Sequence, residues 1–560
     1  MFLVQEKRKN GIYLVIMQSY RDPETKATKK KRIKNLGYLH DLEKEYTDPI
    51  SHFKQVARDM TEEKKQKESP YHVLLDPVKP MSVDSDLLKN FGYVALSKIY
   101  HDLKLDIFFK GKKMDLNSDL PLNGIVKLLV YGNALNQNSI KQIYRNKNIY
   151  FEKMEFSKDE VYESFKILKE LSPLTQKWIH ERISQNLKRN TELVYCYVSN
   201  QYFEDNSTSS PIIKMSLLVD NKGIPISYNL APHLQDQPLY ITPPVQQKLK
   251  SLGAKHVVVV GDNGINNNDK LANIVGNHRG YIVSQSVRDV DNETKKFIFS
   301  ESGFKPFSCD SRIKERICNR KIRINNNGHT KDVVIKERQI VFFNKKYSKC
   351  VMAEREEMLL KAKDLIASPG KYSQNNHEQP YNRYINNLSY DNSGRIVNNC
   401  TNPLNINKEA LIEEAKFDGY YLFLTNELDA PIEDIVNAYI DLWEMEKSFK
   451  FNDTAYEDMP VDVDNRDRLE AHYLISFISL TIKRILEVKI NRKYPIEKVI
   501  QSLKKCSYIH IDENHYVLSY YDQVLEDIGK ELAIDFSKRF GTLSHIKEVV
   551  GMTKKHKQQK

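Results

Sequence analysis

Long apolar runs and paired cysteines are both missing from this sequence. No run of about 18 apolar residues occurs, so we expect no membrane-spanning helix. The opening MFLVQEKRKNGIYL lacks a long apolar stretch followed by a small-residue cleavage site, which predicts no secretory signal. Because a chain of 560 residues can bury a sizeable core, it needs no disulfides, and the scattered cysteines predict reduced thiols in a cytoplasmic protein. None forms a CxxC pair, which argues against structural zinc; they are Cys196, Cys309, Cys318, Cys350, Cys400 and Cys506.

Positive charge is concentrated in three parts of the chain. The net charge is +12, and residues 1–40 hold ten Lys or Arg against three Asp or Glu. Residues 301–350 hold thirteen basic against five acidic residues, and residues 552–560 add four lysines and no acid. A single cluster of this kind is equally consistent with a solvated surface. Three clusters favour an interaction with nucleic acid, because clustered cations attract phosphate.

The N-terminal part of the chain predicts two different regions. GIYLVIMQSY (11–20) and KKKRIKNLGYL predict two strands joined at the turn-prone Asp22-Pro23-Glu24-Thr25, so residues 1–70 are interpreted as a basic β-hairpin plus a linker helix. Apolar residues at three-to-four spacing predict a helical domain over 84–185, which is a candidate for DNA binding. We find no helix-turn-helix pattern in it.

The pattern changes to strands after residue 190. LVYCYVSNQYF (193–203), IIKMSLLV (212–219) and IPISYNL (224–230) predict three consecutive strands, followed by a helix around 237–252. HVVVV (256–260) is a continuous apolar strand of the kind buried on both faces, and GYIVSQSV (280–287) is another strand. Three strands in a meander, a helix and a buried strand ending in a carboxylate follow the order of an RNase H-like core, assigned to 190–299.

The remaining third of the chain interrupts and then completes this core. Residues 300–415 are basic, contain the hairpin-like KIRINNNGHTKDVVIK, a strand RQIVFFN and a charged helix at 352–367, and predict a β-rich insertion domain. The core resumes over 416–490 with the strand GYYLFLTN and helices at 431–450 and 468–487, and 491–560 is a C-terminal helical region with a basic tail. The fold class is therefore α/β, an RNase H-like mixed sheet with N-terminal hairpin and helical domains.

Glu446 occupies an unusual place on the helix at 431–450. It shares one helical face with Ile435, Tyr439, Leu442 and Phe449, spaced four, three, four and three apart. A glutamate within such an apolar stripe is costly unless it is paired, protonated or bound to metal. The alternative is a glutamate that reaches the helix edge or pairs with a lysine.

Asp262 follows the buried strand HVVVV directly, in a Gly-Asp-Asn-Gly turn. Open α/β sheets bind ligands at this end of their strands. The alternative is a helix N-cap for the segment that follows. Together, Asp262 and Glu446 suggest phosphoryl chemistry with two divalent ions about 4 Å apart. Such hard oxygen ligands favour Mg²⁺ or Mn²⁺.

Eight segments, in order, resemble the bacterial insertion-sequence transposases of the DDE type, in the branch with a β-rich insertion between the second Asp and the Glu. They are NGIYLVIMQSYRDP with IKNLGYL, NFGYVALSKIYHDL, LLVDNKGIPISY, VVVVGDNGINNND with GYIVSQSVR, KERQIVFFNKKYSK, FDGYYLFLTN, AYIDLWEMEKSF and LEAHYLISFISL. The resemblance implies metal-dependent cleavage at terminal inverted repeats, attack of the freed 3′-hydroxyl on target DNA, and a homodimer in the synaptic complex.

Some of the family's functional positions fall on matching residues. Its second Asp falls on Asp262 and its Glu on Glu446, which the resemblance makes the catalytic and metal-binding pair. The Tyr of its Tyr-Arg-Glu-Lys signature falls on Tyr439, a DNA-binding candidate. The Arg of that signature is replaced by Leu442, and its Lys by Asp453, an anion.

The first catalytic Asp is missing. Aligning the strand with the family pattern places it at Tyr197, a phenol that is neutral at pH 7 and cannot replace a bridging carboxylate. Neither Glu204 nor Asp205 is an obvious substitute, because the seven or eight residues that separate them from Tyr197 span roughly 25 Å along a strand. The loop Pro232-His233-Leu234 also departs from the family's Gly-Asn turn, although Asp236 matches its acid.

The sequence thus predicts a transposase that binds double-stranded DNA, both at the ends of its element and at the target. Its DNA cleavage is expected to be impaired because Tyr197 stands where the first Asp is expected. Two alternatives are a catalytically inactive DNA-binding derivative and, less well matched to the whole chain, a metal-dependent nuclease of another purpose. The expected location is the bacterial cytoplasm, with the DNA-bound protein at the nucleoid. The basic strand supplies the remaining predicted DNA contacts, which are Lys29, Lys30, Lys31, Arg32 and Lys34.

Overall fold

The computed structural model describes most of the chain as mixed α/β. It describes residues 1–21, 28–46, 48–68, 87–136, 139–201, 213–232, 241–326, 329–369, 379–389, 396, 403–449, 465–512 and 514–554. The chain divides into two compact units, Met1–Val83 and Asp84–Lys560. Over the described ranges, no helix has the length and apolar character needed to cross a bilayer.

The first unit is a small antiparallel sheet with two helices. Strands β1 (Phe2–Arg8), β2 (Gly11–Arg21) and β3 (Thr28–Tyr38) lie in that order, and helices α1 (Leu39–Leu42) and α2 (Pro49–Glu68) follow. Leu14, Val15 and Ile16 of β2 are fully buried. The predicted hairpin is confirmed as β2 and β3, whereas β1 was not predicted, because its sequence FLVQEKR is mostly polar. The predicted turn Asp22–Thr25 lies outside the described residues.

The second unit begins with a strand and five helices. They are β4 (Leu88–Asn90), α3 (Tyr93–Asp102), α4 (Leu105–Asp115), α5 (Leu122–Asn136), α6 (Ile140–Arg145) and α7 (Lys158–Leu187). Helix α7 begins at a capping box, in which Ser157 and Glu160 each satisfy the other's main-chain N–H. The predicted helical character of 84–185 is confirmed.

A nine-stranded mixed sheet forms the centre of this unit, and its first part supplies five strands. The elements are β5 (Leu193–Gln201), β6 (Ile213–Asp220), β7 (Pro225–Pro232), α8 (Pro243–Ser251), β8 (His256–Gly261), α9 (Asn268–Gly276), β9 (Gly280–Gln285) and α10 (Asn292–Phe299). Strands β5, β6 and β7 form an antiparallel meander, and β8 and β9 continue the sheet parallel to β5.

The segment after α10 extends the same sheet. It contains β10 (Lys305–Ser308), β11 (Ser311–Asn326), β12 (His329–Asn344), α11 (Lys345–Ala367), β13 (Ile385–Asn386), β14 (Asn405–Ile406), α12 (Lys408–Ala415), β15 (Tyr420–Thr425), α13 (Ile432–Phe449) and α14 (Asn465–Lys489). The strand order is β10-β11-β12-β15-β9-β8-β5-β6-β7. The predicted strand RQIVFFN is not separate from the predicted hairpin, because β12 runs unbroken through both.

The C-terminal region is not purely helical. It contains α15 (Ile496–Lys505), β16 (Ser507–Asp512), β17 (His515–Leu518), α16 (Gln523–Leu532), β18 (Phe540–Thr542) and α17 (Leu543–Thr553). Its three strands form a four-stranded sheet with β4, in the order β18-β17-β16-β4. These strands have three to six residues, too few for an alternating pattern to stand out in the sequence.

The two faces of the nine-stranded sheet belong to different cores. One face, with Tyr197, Val260 and Phe423, packs into a large core with α13, α14 and the helices of 84–185. The other face, with Val198, Val259 and Leu424, packs against α8, α9 and α10. Alternate residues along β5 and β8 therefore point to opposite cores, and this alternation decides which side chains meet Glu446.

Candidate functional site

Asp262 stands one residue beyond the end of β8. Strand β8 pairs in parallel with β5, with Tyr197 opposite Val260 and Val198 opposite Gly261. The Asp262 side chain is exposed, and its Oδ1 accepts a hydrogen bond of 2.9 Å from the main-chain N–H of Gly264. The predicted alternative of a helix cap holds in a short form, since Asp262 precedes and caps the 3₁₀ turn Asn263–Ile265. Asp262 does not cap α9, whose N-cap is Asn267. Its carboxylate is thus fixed in a tight turn and still open to solvent.

Glu446 reaches the same place from α13. The apolar face predicted for this helix is confirmed, since Ile435, Tyr439, Leu442 and Phe449 are each at most 6% exposed. The Glu446 side chain is partly buried, and its Oε1 accepts a hydrogen bond of 2.7 Å from the Ser199 hydroxyl. Burial raises the pKa of Glu446, the Ser199 hydrogen bond opposes this, and the charge of Asp262 raises the pKa further. Glu446 is thereby linked to the carboxyl end of β5, the strand that pairs with β8, which Asp262 follows.

Ser199, which the sequence did not single out, is the β5 side chain that contacts Glu446. It is 4% exposed and lies two residues beyond Tyr197, on the same face of the strand. Continuing the parallel register one step past Val198 and Gly261 places Ser199 level with Asp262. Period-two alternation from Tyr197 could have flagged Ser199, but the register with β8 is not readable from the sequence.

Tyr197 itself lies deeper in the core. It is 2% exposed, and its ring centroid is 6.3 Å from that of Tyr195. Burial raises its pKa well above the ordinary value, with a further contribution from the charge of Asp441, one to two helical turns before Glu446 on α13. The Tyr197 phenol is therefore neutral, and its side chain lies in the large hydrophobic core.

Tyr439 belongs to the site but lies beneath its surface. It is 6% exposed, and its ring packs 4.6 Å from that of Phe423. Burial raises the pKa of Tyr439 to about 12, a hydrogen bond with Ser284 opposes this, and the charges of Asp262 and Glu446 raise it further. Leu442, at the family's Arg position, is 1% exposed. The predicted Asp453, Glu204, Asp205 and Asp236 lie outside the described residues.

Arg320 of β11 holds the loop that carries Asp262. Its guanidinium donates to Asn266 Oδ1 at 2.8 Å and to Asn268 Oδ1 at 3.1 Å. The same group donates to Glu337 at 3.0 Å, a buried carboxylate that also accepts from the Tyr281 hydroxyl at 2.7 Å. The strand hairpin after α10 is thereby fastened to the loop that follows Asp262.

The donor set does not fit two divalent ions. Within the described ranges, no group of three or more His, Cys, Asp or Glu side chains converges on one point. Asp262 and Glu446 provide hard oxygen ligands of the kind that Mg²⁺ and Mn²⁺ prefer. The other polar side chain in contact with Glu446 is Ser199, whose neutral hydroxyl cannot bridge two ions as a carboxylate does.

The basic strand β3 lies in the first unit. Lys30, Lys31, Arg32 and Lys34 are exposed, and Arg32 forms a salt bridge of 2.5 Å with Glu6 of β1. The Arg32 charge is therefore partly neutralised. Lys29 lies on the same strand, and its side chain is outside the described part. The strand presents its lysines on both faces, since successive side chains alternate.

Comparison with known proteins identifies this first unit. Residues 3–70 match the family model of the IS1634 family transposase, N-terminal domain. This range covers β1 through α2 and the basic strand, and it supports an insertion-sequence transposase. Comparison with curated proteins gives no match.

Proposed function

We propose that this chain is an insertion-sequence transposase of the DDE type that binds the ends of its element and has lost most or all of its strand-cleavage activity. The observation that carries the proposal is the contact between Ser199 and Glu446 beside Asp262. Glu446 contacts the carboxyl end of β5 through Ser199, and Asp262 follows the neighbouring parallel strand β8. We assign the third ligand position of the family to the Ser199 hydroxyl.

An RNase H-like core is part of the proposal. It is supported by the order β7-β6-β5-β8-β9, an antiparallel meander extended by two parallel strands. It is also supported by the place of Asp262, at the end of the strand next to β5, where open sheets bind their ligands. The long β11–β12 hairpin and α11 agree with a β-rich insertion before the Glu-bearing helix α13.

DNA binding rests on charge. The exposed lysines of β3 lie within the residues that match a transposase N-terminal domain. Cations on one strand can follow a phosphate backbone and make affinity dependent on salt. The proposed partners are double-stranded DNA, both the terminal repeats and the target. The proposed synaptic complex is a homodimer, and the proposed location is the bacterial cytoplasm, at the nucleoid when bound to DNA.

The residues at this site argue against efficient DNA cleavage. Asp262 and Glu446 would be the ligands of Mg²⁺ or Mn²⁺, the ion that activates the attacking oxygen in this class of reaction. Removing one bridging carboxylate from such a set disables it. The second candidate function is therefore a DNA-binding protein without catalysis, which the Ser199 contact favours over a nuclease of another kind.

The test is a cleavage assay with purified full-length protein, magnesium or manganese, and a plasmid that carries the coding sequence with its native flanks. We expect little or no cutting by the wild-type chain, and cutting by Ser199→Asp, the variant that places a carboxylate beside Glu446. Glu446→Gln in the same restored background is the control and should abolish it. Robust metal-dependent cutting by the wild-type chain would contradict impairment, and failure to bind DNA would contradict the proposed function altogether.

A further inference from the structure

The distal part of the β11–β12 hairpin is a two-stranded ribbon. Strand β12 pairs with β15 only from Arg338 to Phe343, and β10 pairs with β11 only up to Ile313. The pairs from Cys318–Glu337 to Arg323–Asp332 continue beyond both neighbours. We call residues 317–323 and 332–336 the ribbon. Its two faces differ, because directly opposed residues of an antiparallel pair share a face.

The inner face of the ribbon is fastened to the protein. Ile322 is 2% exposed, and Arg320 binds Asn266 and Asn268 in the loop after Asp262. Just before the ribbon, Arg316 donates to Thr294 Oγ1 of α10 at 2.9 Å. The ribbon is thus held in a fixed position against the segment that carries Asp262.

The outer face of the ribbon is exposed and cationic. It consists of Asn319, Lys321 and Lys336, with the pair Arg323–Asp332 at one end and two apolar side chains, Ile317 and Val334, which are 63% and 57% exposed. Among the described residues neither Lys321 nor Lys336 forms a salt bridge, although the hydrogen bond from Arg323 and, to a smaller extent, the charge of Lys321 lower the pKa of Asp332 on the same face. Residues 319–336 contain five basic residues and one acidic residue.

We propose that the outer face of the ribbon binds double-stranded DNA beside the Asp262 site, an inference that rests on the proposed function. Lys321 and Lys336 lie on adjacent cross-strand rows, so their charges can contact neighbouring phosphates. A two-stranded ribbon fits the major groove of B-DNA, which is about 12 Å wide. Ile317 and Val334 would lose their solvent contact on binding, which explains their exposure on a charged face.

The experiment measures DNA affinity of the full-length protein by fluorescence anisotropy over a range of salt concentrations, with a labelled random-sequence duplex. Each lost phosphate contact lowers the slope of log K against log salt by about 0.9, so Lys321→Gln with Lys336→Gln should lower it by about 2. At about 0.15 M salt the same change weakens binding by about 30-fold. Both side chains are exposed, so the variant should keep the wild-type circular dichroism spectrum and melting temperature.

A matched control removes two exposed lysines elsewhere. Lys153→Gln with Lys530→Gln changes the net charge equally, at side chains that are 86% and 66% exposed. We expect this variant to bind within twofold of the wild-type protein. Equal effects of the two double variants would overturn the ribbon site while leaving DNA binding intact, whereas a wild-type protein without affinity for the duplex would overturn the proposed function.

A second measurement separates DNA from a second copy of the chain as the occupant. Ile317→Ser with Val334→Ser removes the exposed apolar side chains and keeps the lysines. If this variant dissociates a dimer seen by light scattering and leaves the salt slope unchanged, the outer face is a self-association surface and the proposal is overturned. An unchanged mass with weaker DNA binding supports it.

Discussion

Ser199→Asp tests the reasoning about the missing carboxylate most directly. Ser199 Oγ lies 2.7 Å from Glu446 Oε1, so an aspartate at this position brings a second carboxylate to the same place. Two unit charges about 4 Å apart repel by about 4 kcal/mol at the effective dielectric constant of a protein site. Because Glu446 is partly solvated, we expect the variant without metal to lose about 2–4 kcal/mol of stability.

A divalent ion should reverse this loss. With Asp262, the variant offers three carboxylates to one or two ions, whereas the wild-type chain offers two. An ion present at 100 times its dissociation constant stabilises the folded state by about 2.7 kcal/mol. The assay is the melting temperature of full-length protein with and without Mn²⁺, together with the number of bound Mn²⁺ ions from electron paramagnetic resonance.

The matched control is Ser199→Asn, which has the size of aspartate without its charge and should not respond to Mn²⁺. An equal Mn²⁺ response of the wild-type protein would refute the reasoning, because Asp262 and Glu446 would then suffice. If Mn²⁺ raised the melting temperature of Tyr197→Asp but not that of Ser199→Asp, the assignment of the third position to Ser199 would be refuted. We expect Tyr197→Asp to be destabilised instead, since Tyr197 is 2% exposed and a carboxylate there would be buried.

Three further predictions concern stability and DNA binding. Burial raises the pKa of Glu444 to about 7, so the folded state holds an extra proton and its stability should fall by at most about 3 kcal/mol as pH rises from about 4.5 to 7. Urea unfolding of Glu444→Gln should show a shallower slope with pH, because the raised pKa values of Glu446 and Glu487 still contribute. Gly92→Ala should lower the free energy of unfolding by about 3 kcal/mol or more in the same assay, because its Cβ would lie 2.0 Å from a main-chain carbonyl oxygen of α15. Gly111→Ala is the control and should cause no such loss, because the space around Gly111 is open. Replacing Lys30, Lys31 and Lys34 of β3 by glutamine should weaken duplex binding about 100-fold in the anisotropy assay at about 0.15 M salt. An unchanged affinity would show that β3 does not bind DNA.

The sequence was sufficient for the parts of the site that depend on local pattern. Apolar spacing on α13 predicted that Glu446 would sit in a buried stripe, and the continuous apolar run of β8 predicted that Asp262 would follow a buried strand. Both features arise within one element, where side-chain direction follows from a fixed period.

Ser199 was missed because its role depends on the register between two strands. A shift of one residue between β5 and β8 would turn Ser199 to the opposite core, and a shift of two would bring Tyr197 level with Asp262. The sequences LVYCYVSNQ and HVVVVG are apolar throughout most of their length and leave several registers equally plausible. The sheet of β4 with β16 was missed for a related reason, because it pairs residues more than 400 positions apart.

Several side chains hold in place the elements that carry Asp262 and Glu446. Arg484 of α14 forms salt bridges with Asp441 at 2.8 Å and with Glu444 at 2.9 Å, so α13 is fastened to its neighbour along the face opposite Ser199. Arg320 likewise fastens the loop after Asp262. Because both carboxylates remain held in place and only the β5 position is neutral, a single new carboxylate should be enough to restore metal binding, and the surfaces that hold DNA need not change with it.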